Sequence, residues 1–477
     1  MIHFSPTHRH LLTGAAVLLA ATVSSAETGP SSSQTPYIVG TAPGVAFTSI
    51  LTVGDAVKKS HAGNQLYHMV GIPDGLGAFD NGDGTLTVLM NHELTSTSGV
   101  PRDHGGKGAF VSTWQVRKSD LKVLRGGDLI QDVFLWNGSA YVEAPGTAFN
   151  RFCSADLPAP TAFFNPETGL GFDSGRIYMN GEETAGGRTF AHLAAGEQHG
   201  NSYELPRLGH LAFENSVANP HAQDKTIVAE TDDTTPGEVY FYVGTKQASG
   251  SPVERAGLQN GALYTTAITG FATEPPLGFT SAPFTLAPVE DPANAQADPD
   301  GTPLNRPEDG AWDTVAPRRF YFVTTASFTG NTRLWRITFD DIAQPEAGGI
   351  IEVLVDGSLH DIKMMDNITV DAEGNVYMLE DVGNNPRLGR VWQYALATGA
   401  VTQLAEHDAA RFLAGGSQFL TQDEEASGVI DVTALFEGVP GYDTENNRFF
   451  LLDTQAHYAQ PGELVEGGQL MMMKTPR

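Results

Sequence analysis

The stretch Arg319-Phe-Tyr-Phe-Val-Thr324, followed by Leu334-Trp-Arg-Ile-Thr-Phe339, carries the clearest signal of the fold. Both runs are rich in aromatic and β-branched residues, which is typical of β-strands. Runs of the same kind recur at residues 85–90, 176–179, 226–229, 238–243, 350–355, 375–379, 391–395 and 449–452. Amphipathic helical stretches are scarce, with 190–198 and 404–414 as the two candidates. Many short strands and few helices predict an all-β sandwich, barrel or propeller.

Polar residues at the ends of these strands favour the propeller. They are Asn91, His92 and Glu93, then Glu182 and Glu183, Glu230, Asp232 and Asp233, Glu380 and Asp381, and finally Asp453, Gln455 and His457. In a propeller the innermost strand of each blade lines a central channel, so equivalent strand ends meet at the axis. At roughly 40–50 residues per blade, the chain holds six or seven blades with long loop insertions. We therefore predict a β-propeller over residues 37–477.

The N-terminal residues predict an exported protein. Arg9 precedes the apolar run 11–23, and Ser24-Ser25-Ala26 supplies the small residues that a signal peptidase needs. We predict a signal peptide over residues 1–26 and a flexible tether over 27–36, with a periplasmic or secreted location. The apolar run is too short to span a bilayer, and no later run is longer, so we expect no membrane span.

The charge balance limits the partners of the chain. The formal net charge of the 477 residues is −28, and it becomes −29 when Arg9 is removed with the signal peptide. A surface this acidic repels nucleic acid and anionic membranes, and it attracts divalent cations. We therefore expect no nucleic-acid partner.

Cys153 is the only cysteine, which excludes an intramolecular disulfide. Two interpretations of this residue stay open at this point. A lone cysteine behaves either as a small buried apolar residue or as a thiolate ligand of a metal ion.

Carboxylates that crowd at an axis point to metal binding, because they repel each other unless cations neutralise them. Strand alternation turns Asn91 and Glu93 to one side and His92 to the other. Arg306-Pro307-Glu308-Asp309 is interpreted either as a surface ion pair or as a metal ligand, Glu308, beside an anion-binding guanidinium. The acid pair Glu182-Glu183 is either solvated or metal-bound. Asp366-Asn367 and Glu380-Asp381 flank a strand hairpin and are either ligands or turn residues.

Other chemistries lack their sequence motifs. The chain contains no P-loop and no dinucleotide-binding glycine fingerprint before a helix. It also lacks Gly-x-Ser-x-Gly and His-Glu-x-x-His. Residues 80–93 do not place acids at alternate loop positions, which excludes an EF-hand.

Five segments, in order along the chain, resemble the PhoX-type alkaline phosphatases. They are Asn91-His-Glu-Leu-Thr95, Gly181-Glu-Glu-Thr184, Leu211-Ala-Phe-Glu-Asn215, Asn305-Arg-Pro-Glu-Asp309, and Asp366-Asn-Ile-Thr-Val-Asp371 with Gly374-Asn375. Together they span most of the chain. Gly181 stands where that family has a second cysteine.

The resemblance implies a secreted six-bladed propeller that hydrolyses phosphate esters with calcium and iron at its axis. It implies that Glu182, Glu183, Glu214 and Glu308 are metal ligands, that Cys153 matches the family's iron-binding cysteine, and that Arg306 binds the phosphate. We add Asn91, Glu93 and Asp366 to the predicted ligands, and we expect His92 or His457 to protonate the leaving group. We expect a monomer that acts on a small-molecule phosphate ester.

Two alternatives remain open. The same metal cup serves a phosphodiesterase, a phytase or a phosphotriesterase, because the loops that decide the substrate are unreadable in the sequence. A secreted propeller that is stabilised by calcium and only binds a partner is the second alternative. In that case Arg306 is part of a surface ion pair.

Overall fold

The computed structural model describes residues 1–2, 26–61, 63–297 and 300–477, and these residues form a six-bladed β-propeller. The predicted all-β propeller with long loop insertions is thereby confirmed. Most of the predicted signal peptide, residues 3–25, lies outside the described residues. All ten predicted runs are strands or overlap strands closely.

Each blade has an antiparallel core whose strands follow one another from the axis outwards. Blade 1 contains Pro73–Asp80, Thr85–His92, Phe110–Arg117 and Val123–Asp128, with Ala56–Lys59 and Leu66–His68 at its outer edge. Blade 2 contains Phe152–Asp156, Gly175–Glu182, Thr189–Gly196 and Asn201–Glu204, with Asp132–Trp136 and Tyr141–Glu143 outside them. Blade 3 contains Phe213–Ala218, Lys225–Asp232, Val239–Thr245 and Ala262–Ile268, followed by Ser281–Pro288.

The second half of the chain repeats this pattern. Blade 4 contains Pro307–Trp312, Arg319–Thr324, Arg333–Phe339 and Gly349–Asp356. Blade 5 contains Met365–Val370, Val376–Glu380, Arg390–Ala395 and Ala400–His407, with Ile38–Gly40 outside them. Blade 6 contains Glu424–Asp431, Asn447–Ala459, Glu466–Pro476 and Ala46–Thr52, with Ala26–Thr28 outside them.

The remaining elements lie in the connections. A small hairpin joins Phe164–Asn165 to Leu170–Gly171, and two short α-helices cover Pro252–Arg255 and Ala409–Phe412. Short 3-10 turns cover Pro160–Ala162, Pro206–Leu208, Pro292–Ala297, Pro345–Ala347, Gly357–Leu359, Thr433–Phe436 and Gly462–Leu464.

Two strand pairings fix the ring of blades. Ala46–Thr52 from the N-terminal region pairs antiparallel with Glu466–Pro476, from Ala46 opposite Lys474 to Thr52 opposite Gln469. Blade 6 therefore combines both ends of the chain, and this pairing closes the propeller. Blades 3 and 4 are joined into one nine-stranded sheet, because Ser281–Pro288 also pairs with Gly349–Asp356.

Two local predictions are wrong. Residues 190–196 form a strand rather than a helix, because both of its faces are covered and nearly all its side chains are buried. Residues 404–407 end a strand, and only Ala409–Phe412 is helical.

The segment 27–36, predicted as a flexible tether, is fixed to blade 6. Gly29 donates its backbone N–H to Ser49, Ser49 Oγ donates to the Gln34 carbonyl, and Gln469 Nε2 donates to the Thr35 carbonyl. The Gly, Pro and Ser residues suggested flexibility, but the segment that contains them packs closely against the sheet.

The apolar core lies between the faces of neighbouring blades. Trp114 and Trp335 are completely buried there, and their indole N–H groups donate to Ser112 Oγ and Thr324 Oγ1. Burial of large aromatic side chains is a main source of stability in such a fold, provided that their polar atoms find partners. The blades therefore pack as wedges around a polar axis.

Candidate metal centre

Every innermost strand carries a β-bulge near its beginning. The register against the second strand shifts after Pro73, Phe152, Phe213, Pro307, Met365 and Ala426. In blades 1 to 5 the next residue is Asp74, Cys153, Glu214, Glu308 and Asp366, respectively, and in blade 6 Glu425 precedes the shift. Because a bulge redirects side chains at the end of a sheet, these six residues turn towards the axis.

Four blades enter their innermost strand through a residue with positive φ. These residues are Ile72, Arg151, Arg306 and Met364, with φ of 53°, 50°, 67° and 46°. Such a conformation costs a bulky side chain of order 1–3 kcal/mol, and the surrounding structure must hold it in place. The strain is concentrated at the rim where the polar side chains meet.

The second strands supply the other half of the rim. Their C-terminal ends bring Glu93, Glu183, Asp233, Asp381 and His457 to the same end of the propeller axis. The strand ends that the sequence analysis assigned to the axis therefore belong to the second strands. The innermost strands run in the opposite direction and contribute from their N-terminal ends.

Together these side chains line a cup of about 240 Å³ at the end of the axis. Its wall contains nine carboxylates, from Glu93, Glu183, Glu214, Asp233, Glu308, Asp366, Asp381, Asp423 and Glu425. Cys153, Gln455, Arg151, Arg306 and His457 complete the polar wall. Two guanidinium groups and one imidazole cannot neutralise nine carboxylates, so the cup is a candidate site for bound cations.

Three groups of possible ligand atoms lie side by side in the cup. The first contains Asp74, Glu93 and Cys153, the second Cys153, Glu183 and Glu214, and the third Glu214, Glu308 and Asp366. Within each group the ligand atoms lie within 4.8 Å of one another, which suits a cation about 2.3–2.6 Å from each oxygen. Because Cys153 and Glu214 are each shared, the three groups form a continuous row across blades 1 to 5.

The pKa values in the cup record this crowding. Burial, followed by repulsion from neighbouring carboxylates, raises the pKa of Glu183, Glu214, Glu308, Asp366 and Glu425 well above the usual range. Burial and crowding therefore disfavour the charged form of these carboxylates. Bound cations would restore the charged form.

Asp74 and Cys153 meet at the seam between blades 1 and 2. Burial and then the charge of Glu93 raise the pKa of Asp74 to about 7. Burial and then the charge of Asp74 raise the pKa of the Cys153 thiol. Gln455 Nε2 donates to Asp74 Oδ2 and to Glu93 Oε2, both at 2.8 Å, and so joins the two carboxylates of the first group.

Two arginines of the wall, Arg151 and Arg306, each bridge a pair of carboxylates. Arg306 Nε donates to Asp233 Oδ1 at 2.6 Å and lies 3.0 Å from Glu308 Oε1. Burial alone would raise the pKa of Asp233, but the charge and hydrogen bonds of Arg306, with further bonds from neighbouring carboxyl groups, lower it.

Unpaired buried atoms test whether these residues fit a metal ion. Asp366 Oδ1 and Gln455 Oε1 are buried and have no hydrogen-bond partner in the described part of the chain. A buried oxygen without a donor costs about 1–3 kcal/mol, and a cation in the cup would remove that cost. The residues present therefore fit a metal centre.

His457 lies on the wall and is held by Glu466. The distance from His457 Nδ1 to Glu466 Oε2 is 2.7 Å. Burial would lower the pKa of His457, but the hydrogen bond and charge of Glu466, together with other acids, raise it. Glu466 thus fixes the orientation of the imidazole and favours its protonated form, which suits a proton donor.

Three predicted site residues lie outside the cup. Glu182 points to the other side of its strand, where Arg188 Nε and Nη2 donate to its two oxygens at 2.7 and 2.8 Å. His92 is stacked on Phe110, and burial, followed by the charge of Arg102, lowers its pKa to about 3. Neither side chain reaches the space that the acids enclose.

Asn91, the third of these residues, does not line the cup but makes hydrogen bonds to a strand that carries one of the cup residues. Its Nδ2 donates to the carbonyl of Cys153 at 2.7 Å, and its Oδ1 accepts bonds from Tyr178 and Asn180. The amide therefore holds the bulged strand of blade 2. Strand alternation correctly predicted that His92 and Glu93 point to opposite sides. It could not reveal that the Asn91 amide is already hydrogen-bonded to carbonyls of the neighbouring strand.

Sequence reasoning missed several residues of the cup. Asp74, Arg151, Asp423 and Glu425 were not recognised as site residues. Each lies at or just before the beginning of an innermost strand, whereas the strand pattern alone pointed to the residues after the last residue of a strand. The motif that would have found Arg151 is its spacing from Cys153, which equals the spacing of Arg306 from Glu308.

Comparisons with known proteins support the fold. PhoX from Pseudomonas fluorescens, solved in complex with vanadate, a transition state analogue, superposes with a TM-score of 0.61 over 94% of this chain and 96% of that chain, at 11% identity. At this identity the likeness shows the fold alone.

Other solved structures are more distant. An α-L-arabinofuranosidase from Podospora anserina matches with a TM-score of 0.33 and 7% identity over 89% of this chain and 96% of that chain. A sialidase from Trypanosoma rangeli matches with a TM-score of 0.34 and 9% identity over 91% of this chain and 59% of that chain. No family model and no curated protein sequence matches the chain. Among the described residues, no helix has the length and apolar character needed to cross a membrane.

Proposed function

We propose that this protein is a metal-dependent phosphatase that hydrolyses phosphate esters in the axial cup. The observation that carries the proposal is the row of three adjacent ligand groups with Arg306 beside the third group. A row of cations next to a guanidinium is the arrangement that phosphoryl transfer requires, because charge on the phosphate oxygens must be neutralised. The likeness to the PhoX fold agrees with this chemistry.

The donor atoms favour calcium and iron as the metals. The third group, Glu214, Glu308 and Asp366, offers only oxygen and suits calcium. The first two groups share the Cys153 thiol, which favours a softer ion such as iron. Glu182, predicted as a ligand, is left out of this assignment because Arg188 occupies both of its oxygens.

The side chains of the cup have separate tasks in this reaction. Bound metal ions supply Lewis acidity and lower the pKa of water. Arg306 orients non-bridging oxygens of the phosphate, and Asp233 fixes its guanidinium plane. His457, oriented by Glu466, donates a proton to the departing alcohol.

The location and assembly complete the proposal. Based on the export signal predicted over residues 1–26, we propose that the enzyme acts in the periplasm or outside the cell, and we expect it to act as a monomer. The described propeller closes on itself through blade 6, so ring formation needs no second copy.

Glu308→Gln tests the proposal, with Glu182→Gln as its matched control. Both glutamates are buried, but only Glu308 belongs to a ligand group. We expect Glu308→Gln to lose metal and hydrolysis of p-nitrophenyl phosphate while the far-ultraviolet circular dichroism stays unchanged. We expect Glu182→Gln to keep its metal content and activity. Full activity of Glu308→Gln would contradict the proposal.

A further inference from the structure

Arg151 and Arg306 occupy equivalent positions in blades 2 and 4. Each directly precedes its innermost strand and has positive φ, and each side chain joins carboxylates of its own and the preceding blade. Arg151 Nη2 lies 2.6 Å from Glu93 Oε1 of blade 1 and donates to Glu183 Oε1 of blade 2 at 2.7 Å. Arg306 joins blades 3 and 4 in the same way.

The guanidinium of Arg151 has donors left over after these contacts. Both glutamates are held through Nη2, and Nε is buried without a hydrogen-bond partner in the described chain. The side chain is 42% exposed, so part of it also faces the open cup. An arginine that served only to neutralise two carboxylates would not need these unused N–H donors.

We propose that Arg151 is a second arginine that binds the phosphoryl group of the substrate, on a different side of the cup from Arg306. This inference rests on the proposed phosphatase function. Blade 3 separates the two arginines, so they face the same space of about 240 Å³ from two sides. A planar guanidinium on each side can hold different non-bridging oxygens, which favours a phosphate with three such oxygens over one with two.

Arg151→Lys separates this role from simple charge neutralisation. Lysine keeps the positive charge beside Glu93 and Glu183 but loses the planar fork of donors. Arg188→Lys is the matched control, because Arg188 makes the corresponding ion pair with Glu182 in the same blade but outside the cup. Neither substitution removes a possible metal ligand.

The experiment measures binding of inorganic phosphate to the metal-loaded proteins by calorimetry, together with their metal content. We expect Arg151→Lys to keep its metals and to bind phosphate about tenfold more weakly, as for the loss of one charge-assisted bond. Arg188→Lys should bind phosphate like the wild type. As a second readout, Arg151→Lys should lose more kcat/KM on a phosphomonoester than on a phosphodiester.

Three results would overturn the inference. Unchanged phosphate affinity in Arg151→Lys would show that Arg306 acts without it. Loss of metal from Arg151→Lys would show that the residue serves Glu93 and Glu183 rather than the phosphate. Failure of the metal-loaded wild type to bind phosphate would remove the proposed function as well, and so differs from the first two results.

Discussion

Cys153 Sγ lies 3.2 Å from Asp74 Oδ2, so the one thiol of the chain meets a carboxylate of the neighbouring blade. The thiol also belongs to two of the three ligand groups. Its position therefore favours the metal-ligand interpretation over that of a small apolar residue in the core.

Replacing the thiol should change which metal is retained. In Cys153→Ser the softest ligand is lost, while the all-oxygen group of Glu214, Glu308 and Asp366 is intact. We expect iron content to fall at least tenfold and calcium to remain, because thiolate prefers softer ions. Elemental analysis of variant and wild type, purified together, measures this. Equal iron in both proteins would show that Cys153 is not a ligand.

The proton donor should be visible in the dependence of rate on the leaving group. We expect His457→Gln to lower kcat about a hundredfold or more for alkyl phosphates, whose alkoxide needs a proton. The loss should be much smaller for p-nitrophenyl phosphate, whose leaving group departs readily without one. His92→Gln is the control, since His92 is stacked on Phe110 outside the cup. An equal loss on both substrates would argue against proton donation by His457.

Asp156, on the axis side of blade 2 beyond the cup, should make stability depend on pH. Burial raises the pKa of its carboxyl to about 7, against about 3.9 in an unfolded chain. Between these values the folded state holds a proton that the unfolded state has lost. Stability therefore falls as the pH rises through this range, and the full cost is present above about pH 7.

Asp156→Asn should remove this contribution, because an amide does not ionise and can still accept the N–H of Ala218. Urea unfolding at pH 4.5 and pH 8 measures the free energy of unfolding of both proteins. We expect the variant to lose less stability than the wild type between the two pH values. The same loss in both proteins would exclude Asp156 as the source. Acids of the cup contribute equally to both and cancel in the comparison.

Gly181 should tolerate no side chain. A Cβ at this position would lie 2.3 Å from Phe213 Cβ, because the innermost strand of blade 3 passes directly over it. We expect Gly181→Ala to lower the free energy of unfolding by about 1–3 kcal/mol, as for other overpacked sites. Gly186→Ala, which meets no atom within 4 Å but has φ of 68°, separates backbone strain from a steric clash. Unchanged thermal stability of Gly181→Ala would contradict this packing.

The same contact explains one departure from the resembling family. A second cysteine before the glutamate pair has no room in this chain, since Phe213 occupies the place. The one thiol of the chain is that of Cys153, on the innermost strand of blade 2.

The sequence predicted the architecture because strand signals are local. Runs such as Arg319–Thr324 are rich in aromatic and β-branched residues, and the structure reproduces the bounds of this run. The misassigned run 190–198 shows the limit of this reasoning. A strand that is covered on both faces lacks alternation, so its apolar pattern resembles that of a helix.

The site was predicted in part for a related reason. Glu183, Glu214 and Glu308 were found through their motifs, and the structure brings all three into the cup. Both Glu182 and Glu183 were predicted as ligands, but adjacent residues of a strand point to opposite sides, and only Glu183 faces the axis. Asp74 and Glu425 depend on bulges, which no local pattern revealed.

The most direct test of the proposed metal-dependent phosphatase is elemental analysis of the purified protein, combined with hydrolysis of p-nitrophenyl phosphate before and after chelation. We predict calcium and iron together, hydrolysis that chelator abolishes, and recovery when the metals are returned. Calcium alone, without hydrolysis of phosphate mono-, di- or triesters, would contradict the proposal and identify the cup as a structural calcium site of a binding protein.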